Sequence, residues 1–217
     1  MLNHKLLYNK LLYNKLLHSA LLLGTFTLVC IGFVATVHQI TQPLINKNSY
    51  NYLLKRLEEL VPADLVDNDI VNDILDSIAI DSNAKKWLGK SSNRIYRGRK
   101  QGKPVAAIIN TFIPHGYGGP IQLLVAVQHD GILRGVRVLS HKETPGLGDR
   151  IEETKSPWIL SFTGKSLQNP PRQSWQVQKD GGEFDQLTGA TITSRVMIRA
   201  IRDTLIFAEH YKSDIYR

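Results

Sequence analysis

A single cysteine, Cys30, stands in 217 residues. Alone it can form no intrachain disulfide, and it excludes zinc ribbons and cysteine-ligated iron–sulfur clusters. Seven histidines are scattered without a metal-ligand spacing, so no metal site is expected. Any redox chemistry must therefore come from an organic cofactor. Acids are missing from one end of the chain: the first 50 residues hold four lysines and neither Asp nor Glu. The remainder holds 23 bases and 19 acids, a mild excess within a net charge of +8. No lysine–arginine run is interleaved with aromatics, so nucleic acid is not an expected partner. Between Lys15 and Lys47 permanent charge is absent altogether.

That uncharged run has an apolar centre, Ser19 to Val37, close to the ~20 residues a bilayer-crossing helix needs. A cleaved signal peptide would have a shorter apolar region ending in a small-x-small site. Here the run is longer, and Ala35-Thr36-Val37 is a poor site, so an uncleaved anchor is expected over 19–37. Lys5, Lys10 and Lys15 precede the span, which keeps residues 1–18 cytoplasmic and sends the rest outside, into the periplasm if an outer membrane encloses one. The repeated LLYNK unit has two open readings: a basic amphipathic extension on the inner leaflet, or slack before the anchor. Pro43 is expected to end the membrane helix.

Residues 38–92 read as a helical membrane-proximal segment. Tyr52, Leu53, Leu57, Leu60 and Val61 fall at helical spacing up to Pro62, and Asp69 to Ile80 is a second helical candidate. From Arg94 the pattern changes to β-branched runs, VAAIINTFIP, QLLVAVQHD and ILRGVRVLSH. Asp130-Gly131 lies between two of them and predicts a hairpin pairing Gln122–Gln128 with Leu133–Ser140. SPWILSFTGKSL predicts a short helix and turn, and Arg195 to Tyr211 a closing helix. The fold expected over 93–217 is α+β, an antiparallel sheet flanked by helices, behind an N-terminal transmembrane helix.

Two glycine-bearing stretches carry the chemistry. HKETPGLGDR, His141 to Arg150, places an acid, a threonine and two glycines in one loop. Its glycines let backbone N–H groups approach a ligand, and Thr144 adds a hydroxyl; an ordinary strand-ending turn reads the same way locally. DQLTGATITS, Asp185 to Ser194, crowds Thr188, Thr191, Thr193 and Ser194 around Gly189-Ala190 before the last helix. Thr193 or Ser194 is a fair N-cap. Hydroxyls at a helix N-terminus can also hold a phosphate. Both readings stand on local chemistry alone.

Taken together, the two stretches resemble a known family. Asp-x-x-Thr-Gly-Ala-Thr-x-Thr, Asp185 through Thr193, looks like the flavinylation motif of periplasmic FMN-binding domains, and HKETPGLGD resembles their second loop. With the anchor, GYGGPIQLLVAV and SPWI, the chain is similar to the G subunits of Rnf (Rsx) ion-translocating electron-transport complexes. The resemblance implies FMN joined through its phosphate to Thr193, the last threonine of the motif, by a transferase that uses FAD. Thr188, Gly189, Ala190 and Thr191 would surround the phosphate, and Asp185 would be read by the transferase. Glu143, Thr144, Gly146, Leu147 and Gly148 would contact the flavin or its ribityl chain. Lys165 has two open readings, a contact to the phosphate or the flavin edge and a solvated surface lysine; His141 and Tyr117 are weaker candidates, read as structural before functional. It further implies an electron-transfer subunit among other membrane subunits, with no catalytic residue and no activity of its own. Two alternatives remain: the C subunit of the sodium-translocating NADH:quinone oxidoreductase, which shares both motifs, and a membrane-tethered binding or sensory module without redox function. The coupling ion and the direction of electron flow are not written in the chain.

Overall fold

The computed structural model describes the backbone from Leu2 to Arg217 and side chains from Asn14 onward. The LLYNK repeat therefore lies almost wholly outside the described side chains, as do Lys5 and Lys10. By contacts the chain divides into two compact units, Met1–Tyr52 and Leu53–Arg217.

From Leu2 onward the first unit is helix, the greater part of α1 (Leu2–Leu60). Its apolar side chains, among them Leu21, Phe26, Leu28, Val29 and Phe33, are exposed, unlike those of a soluble core helix. Three threonine hydroxyls within this stretch are satisfied internally. Thr25, Thr27 and Thr36 donate their hydroxyls to the carbonyls of Leu21, Leu23 and Gly32 at 2.8–2.9 Å. A bilayer supplies no other partner, so a membrane helix must do this. Pro43 does not end the helix, contrary to expectation: it lies inside α1. A proline forfeits one helical hydrogen bond, which leaves the turns on either side free to stay helical. The last turns of α1 belong to the second unit, where Leu57 and Leu60 are buried, and the helix stops at Leu60, short of Pro62.

In the second unit a five-stranded antiparallel sheet is ordered β1-β2-β3-β4-β5. The strands are β1 (Ile74–Asp76), β2 (Arg94–Lys100), β3 (Lys103–Ile113), β4 (Ile121–Gln128) and β5 (Leu133–Ser140). The expected hairpin is present: Val125 pairs with Val136 and Ala126 with Gly135, and Gly131 turns the chain at φ +89, where a side chain is disfavoured. The sheet is covered on both faces, which explains the nearly unbroken apolar runs of β3 and β4. Ile109, Leu123, Val125 and Val127 face a core with Met197, Ile198, Ile201 and Leu205 of α4 (Thr191–His210). Ile108, Leu124 and Ala126 face Leu57, Leu60 and Val61.

The expected helix over Asp69 to Ile80 is not formed. That stretch makes a turn, then β1, then the single turn α2 (Ser77–Ile80); a further one-turn helix, α3 (Lys85–Leu88), follows. Its acids explain the difference. Asp69 accepts from Val71 N at 3.1 Å, Asp73 pairs with Arg97 and Arg99 of β2, and Asp76 caps α2 through Ile78 N. Each engages its side chain in a way that competes with helix continuation. The boundary expected at residue 93 falls between β1 and β2 of this sheet. SPWILSF forms a 3-10 helix over Pro157–Phe162, entered through Ser156, which accepts from Trp158 N. A last turn, α5 (Lys212–Ile215), closes the chain.

Candidate functional site

The closing helix begins at Thr191, four residues before the position expected from its apolar pattern, with Ala190 at the N-cap. Neither Thr193 nor Ser194 caps it. Both lie inside the first turn and both are buried. Ser194 donates to Ala190 O and accepts from Leu187 N, each at 3.0 Å, so its hydroxyl closes the preceding turn. Thr193 donates instead to Oε2 of Glu143 at 2.5 Å. No side chain caps this helix and no acid stands in its first turn. The free N–H groups and the positive end of a 20-residue helix are thus left to favour an anion.

Glu143 comes from the loop after β5, and three neighbours fix it. Gly118 N–H donates to its Oε1 at 3.0 Å. Its own N–H donates to His141 Nδ1 at 3.0 Å, and His141 Nε2 lies 2.8 Å from Glu152 Oε1. His141 therefore supports the loop from behind and carries its proton on Nε2, toward Glu152. Behind it Lys155 bridges Glu152 at 2.8 Å and Asp149 at 3.0 Å. The Lys155 ammonium holds both carboxyls below their usual range, with a smaller contribution from His141.

A cleft of about 250 Å³ opens above Thr193, lined by Tyr117, Glu143, Thr144, Leu147, Gly148, Gly189, Ala190, Thr191 and Ile192. The fold thus joins two loops nearly fifty residues apart in sequence. Glycine makes the approach possible. A Cβ at Gly148 would lie 2.7 Å from Glu143 Oε2, and one at Gly189, which has φ +80, would lie 2.9 Å from Leu147 Cδ2. Three of the few large apolar side chains exposed in this unit, Tyr117, Leu147 and Ile192, surround the mouth.

Four candidates stand apart from the cleft lining: Gly146, Asp185, Thr188 and Lys165. Gly146, at φ +78, turns the loop with open space around it. Asp185 and Thr188 are exposed, and the carbonyl of Asp185 accepts the Trp158 indole N–H at 2.6 Å. Lys165 lies by the opposite end of β5. Its carbonyl accepts from Leu133 N at the start of β5, whereas the cleft loop follows the end of that strand. Eight residues at about 3.3 Å each separate the two. Sequence reasoning missed Gly116 and Gly118, the walls against Glu143: a Cβ at Gly116 would lie 2.5 Å from Oε1, and one at Gly118 1.9 Å from Lys142 O. The density of glycine in HGYGGP was the available signal.

The site suits a phosphorylated flavin: an uncapped helix end for an anion, hydroxyls beside it and an apolar rim. Residues 116–206 match the FMN-binding domain family, and residues 9–60 match the RnfG N-terminal region. Fold, cleft and anchor thus define a membrane protein with an FMN-binding domain. Relatives align along most of the chain. The G subunit of the ion-translocating oxidoreductase complex of Pseudomonas aeruginosa (strain UCBPP-PA14) is 47% identical over 185 residues, 85% of this chain and 84% of the relative. The corresponding G subunits of Photorhabdus laumondii and Shewanella oneidensis are 41% and 38% identical, over 86% and 90% of this chain and 87% and 90% of their own. The chain belongs to this family, the G subunits of ion-translocating oxidoreductase complexes.

Proposed function

We propose that this chain carries FMN as a phosphodiester on Thr193 and serves as an electron relay in a membrane complex of the Rnf type. The observation that carries this reading is the position of the Thr193 hydroxyl, at the floor of a cleft and in the first turn of a helix that no side chain caps. The cleft, about 250 Å³, is below the usual size for a whole drug-sized ligand. It would hold the phosphate and ribityl chain, and Tyr117, Leu147 and Ile192 at its rim would meet the flavin ring. Thr144, Thr191 and the Gly189-Ala190 backbone would line the ribityl-phosphate. When bound, FMN supplies the electron-carrying chemistry, and the protein supplies placement and electrostatics.

The anchor is read as a single inner-membrane span with a cytoplasmic N-terminus and a periplasmic domain. A covalent link suits that compartment, where a lost flavin is not replaced from a free pool. Exposed Asp185 and Thr188 are then available for a flavin transferase to read from outside. The partners are the other membrane subunits of the complex. The match to the RnfG N-terminal region favours this reading over the quinone-reductase C subunit, and the FMN-binding domain match favours it over a module without redox function. The test is a peptide mass map of the chain coexpressed with the flavin transferase. FMN mass on Thr193, and yellow colour that stays with acid-precipitated protein, are expected. Flavin that washes away on denaturation refutes the covalent link.

A further inference from the structure

The carboxylate of Glu143 has no part in the reading above, which needs only a hydroxyl and a helix end. It is 4% exposed, and Thr193 is 1% exposed. One oxygen is tied to Gly118 N–H and the other accepts the Thr193 hydroxyl at 2.5 Å. A methyl group at Gly116 or Gly148 would come within 2.5–2.7 Å of its oxygens, so these glycines give the carboxylate its room. A hydrogen bond on each oxygen holds it there. Among the described residues, Thr188 and Thr191 have no such acceptor.

We propose that Glu143 selects Thr193 among the threonines of the motif and takes its proton as the flavin is attached; this rests on the reading of Thr193 as the attachment site. Donation of the hydroxyl to Glu143 turns the Oγ1 lone pairs away from the carboxylate, toward the cleft. Oγ1 then bonds to the flavin-side phosphorus of FAD, the pyrophosphate P–O bond breaks, and AMP leaves. The proton moves from Oγ1 to Oε2 of Glu143. The charge of the pocket is conserved: a carboxylate beside a neutral hydroxyl becomes a neutral carboxyl beside a phosphodiester anion. Without that transfer two negative charges would share a buried site, which is strongly unfavourable. The protonated carboxyl is left with an O–H to offer the new diester.

The experiment is a time course of flavinylation of the full chain in detergent, with purified transferase and FAD. Flavin is located by mass spectrometry of the tryptic peptide Asp180 to Arg195, and each protein's melting temperature is recorded. Wild type is expected to carry flavin on Thr193. Glu143→Gln keeps the shape but not the proton acceptor, and its initial rate should fall by about ten-fold or more, the lower range of acid–base effects. Glu143→Asp keeps a carboxylate and should recover part of the rate. A glutamine variant modified at the wild-type rate overturns the proposal. So do glutamine and aspartate variants slowed equally with a matching loss of melting temperature, because shape alone would then matter. If the glutamine variant does not fold, the aspartate variant decides: a several-fold lower rate at an unchanged melting temperature supports the proposal, and an unchanged rate overturns it. Wild type without flavin on Thr193 refutes the underlying assignment instead, so the two failures are distinguishable.

Discussion

Thr193 and Ser194 are neighbours of similar chemistry with different partners. Ser194 bonds within its own segment, to Ala190 and Leu187, whereas Thr193 reaches fifty residues back to Glu143. Their substitutions should therefore separate. Thr193→Val nearly keeps the shape and removes the hydroxyl, so covalent FMN should vanish from the Asp180–Arg195 peptide. It also leaves a buried carboxylate oxygen without its donor, which costs about 1–3 kcal/mol against a typical stability of roughly 5–15. The protein should stay folded with a lower denaturation midpoint. Thr191→Val, at a half-buried cleft position, should reduce the extent of flavinylation without abolishing it. Ser194→Ala should lower stability by a similar amount, because Leu187 N–H loses its acceptor, yet flavin should still attach. Flavin undiminished in Thr193→Val, measured by the same mass map, would remove Thr193 from the site.

At the scale of elements, the loop His141 to Arg150 is the wall of the cleft, and its two glycines do different work. Gly146 turns the chain at φ +78 in open space, whereas Gly148 gives room to Glu143. Gly148→Ala should displace the Glu143 carboxylate and slow flavinylation more than Gly146→Ala does, with the latter's cost limited to backbone strain. Equal rates in the two variants would contradict this division. The same loop is braced by Lys155 against Asp149 and Glu152. Both carboxyls are held below their ordinary values of 3.8 and 4.5, chiefly by Lys155. A depressed folded-state pKa contributes stability that is present above the ordinary value and lost as pH falls through the lower one. Melting temperature should therefore fall as pH drops below about 4, and this acid sensitivity should be flatter in Lys155→Met. Parallel pH curves for the two proteins would show that the bracing does not matter to stability.

For the whole molecule, the anchor decides which compartment sees the cleft. Lysine precedes the span and acid is absent before it, so the second unit should lie outside the cytoplasm. A reporter active only in the periplasm, fused after Arg217, should be active, and a cytoplasmic reporter at that position silent. The opposite result would put the cleft on the wrong side for a transferase acting from outside. The sheet meets the rest of its unit through both faces: α4 covers one, and Leu57, Leu60 and Val61 cover the other. The last turns of α1 are thus part of the domain core, and truncation at residue 93 should expose Leu124 and Ala126 and yield an insoluble fragment. Soluble, folded protein from residues 93–217 in a thermal melt would count against this.

Local signals were enough for much of this protein. The uncharged run set the membrane helix, Asp130-Gly131 set the β4–β5 hairpin, and the residues of the two glycine stretches carried the resemblance to the family. Each of these depends on neighbours a few residues apart, and such patterns are read from the chain directly. Local rules failed where a side chain found a distant partner. Asp73 bonded Arg97 and Arg99 and a strand replaced the expected helix. Thr193 gave up a helix cap for Glu143, and the glycines of HGYGGP became the wall that holds that carboxylate. Only the tertiary structure decided these, because a buried polar group takes whichever partner the packed fold brings within reach, however far away in sequence.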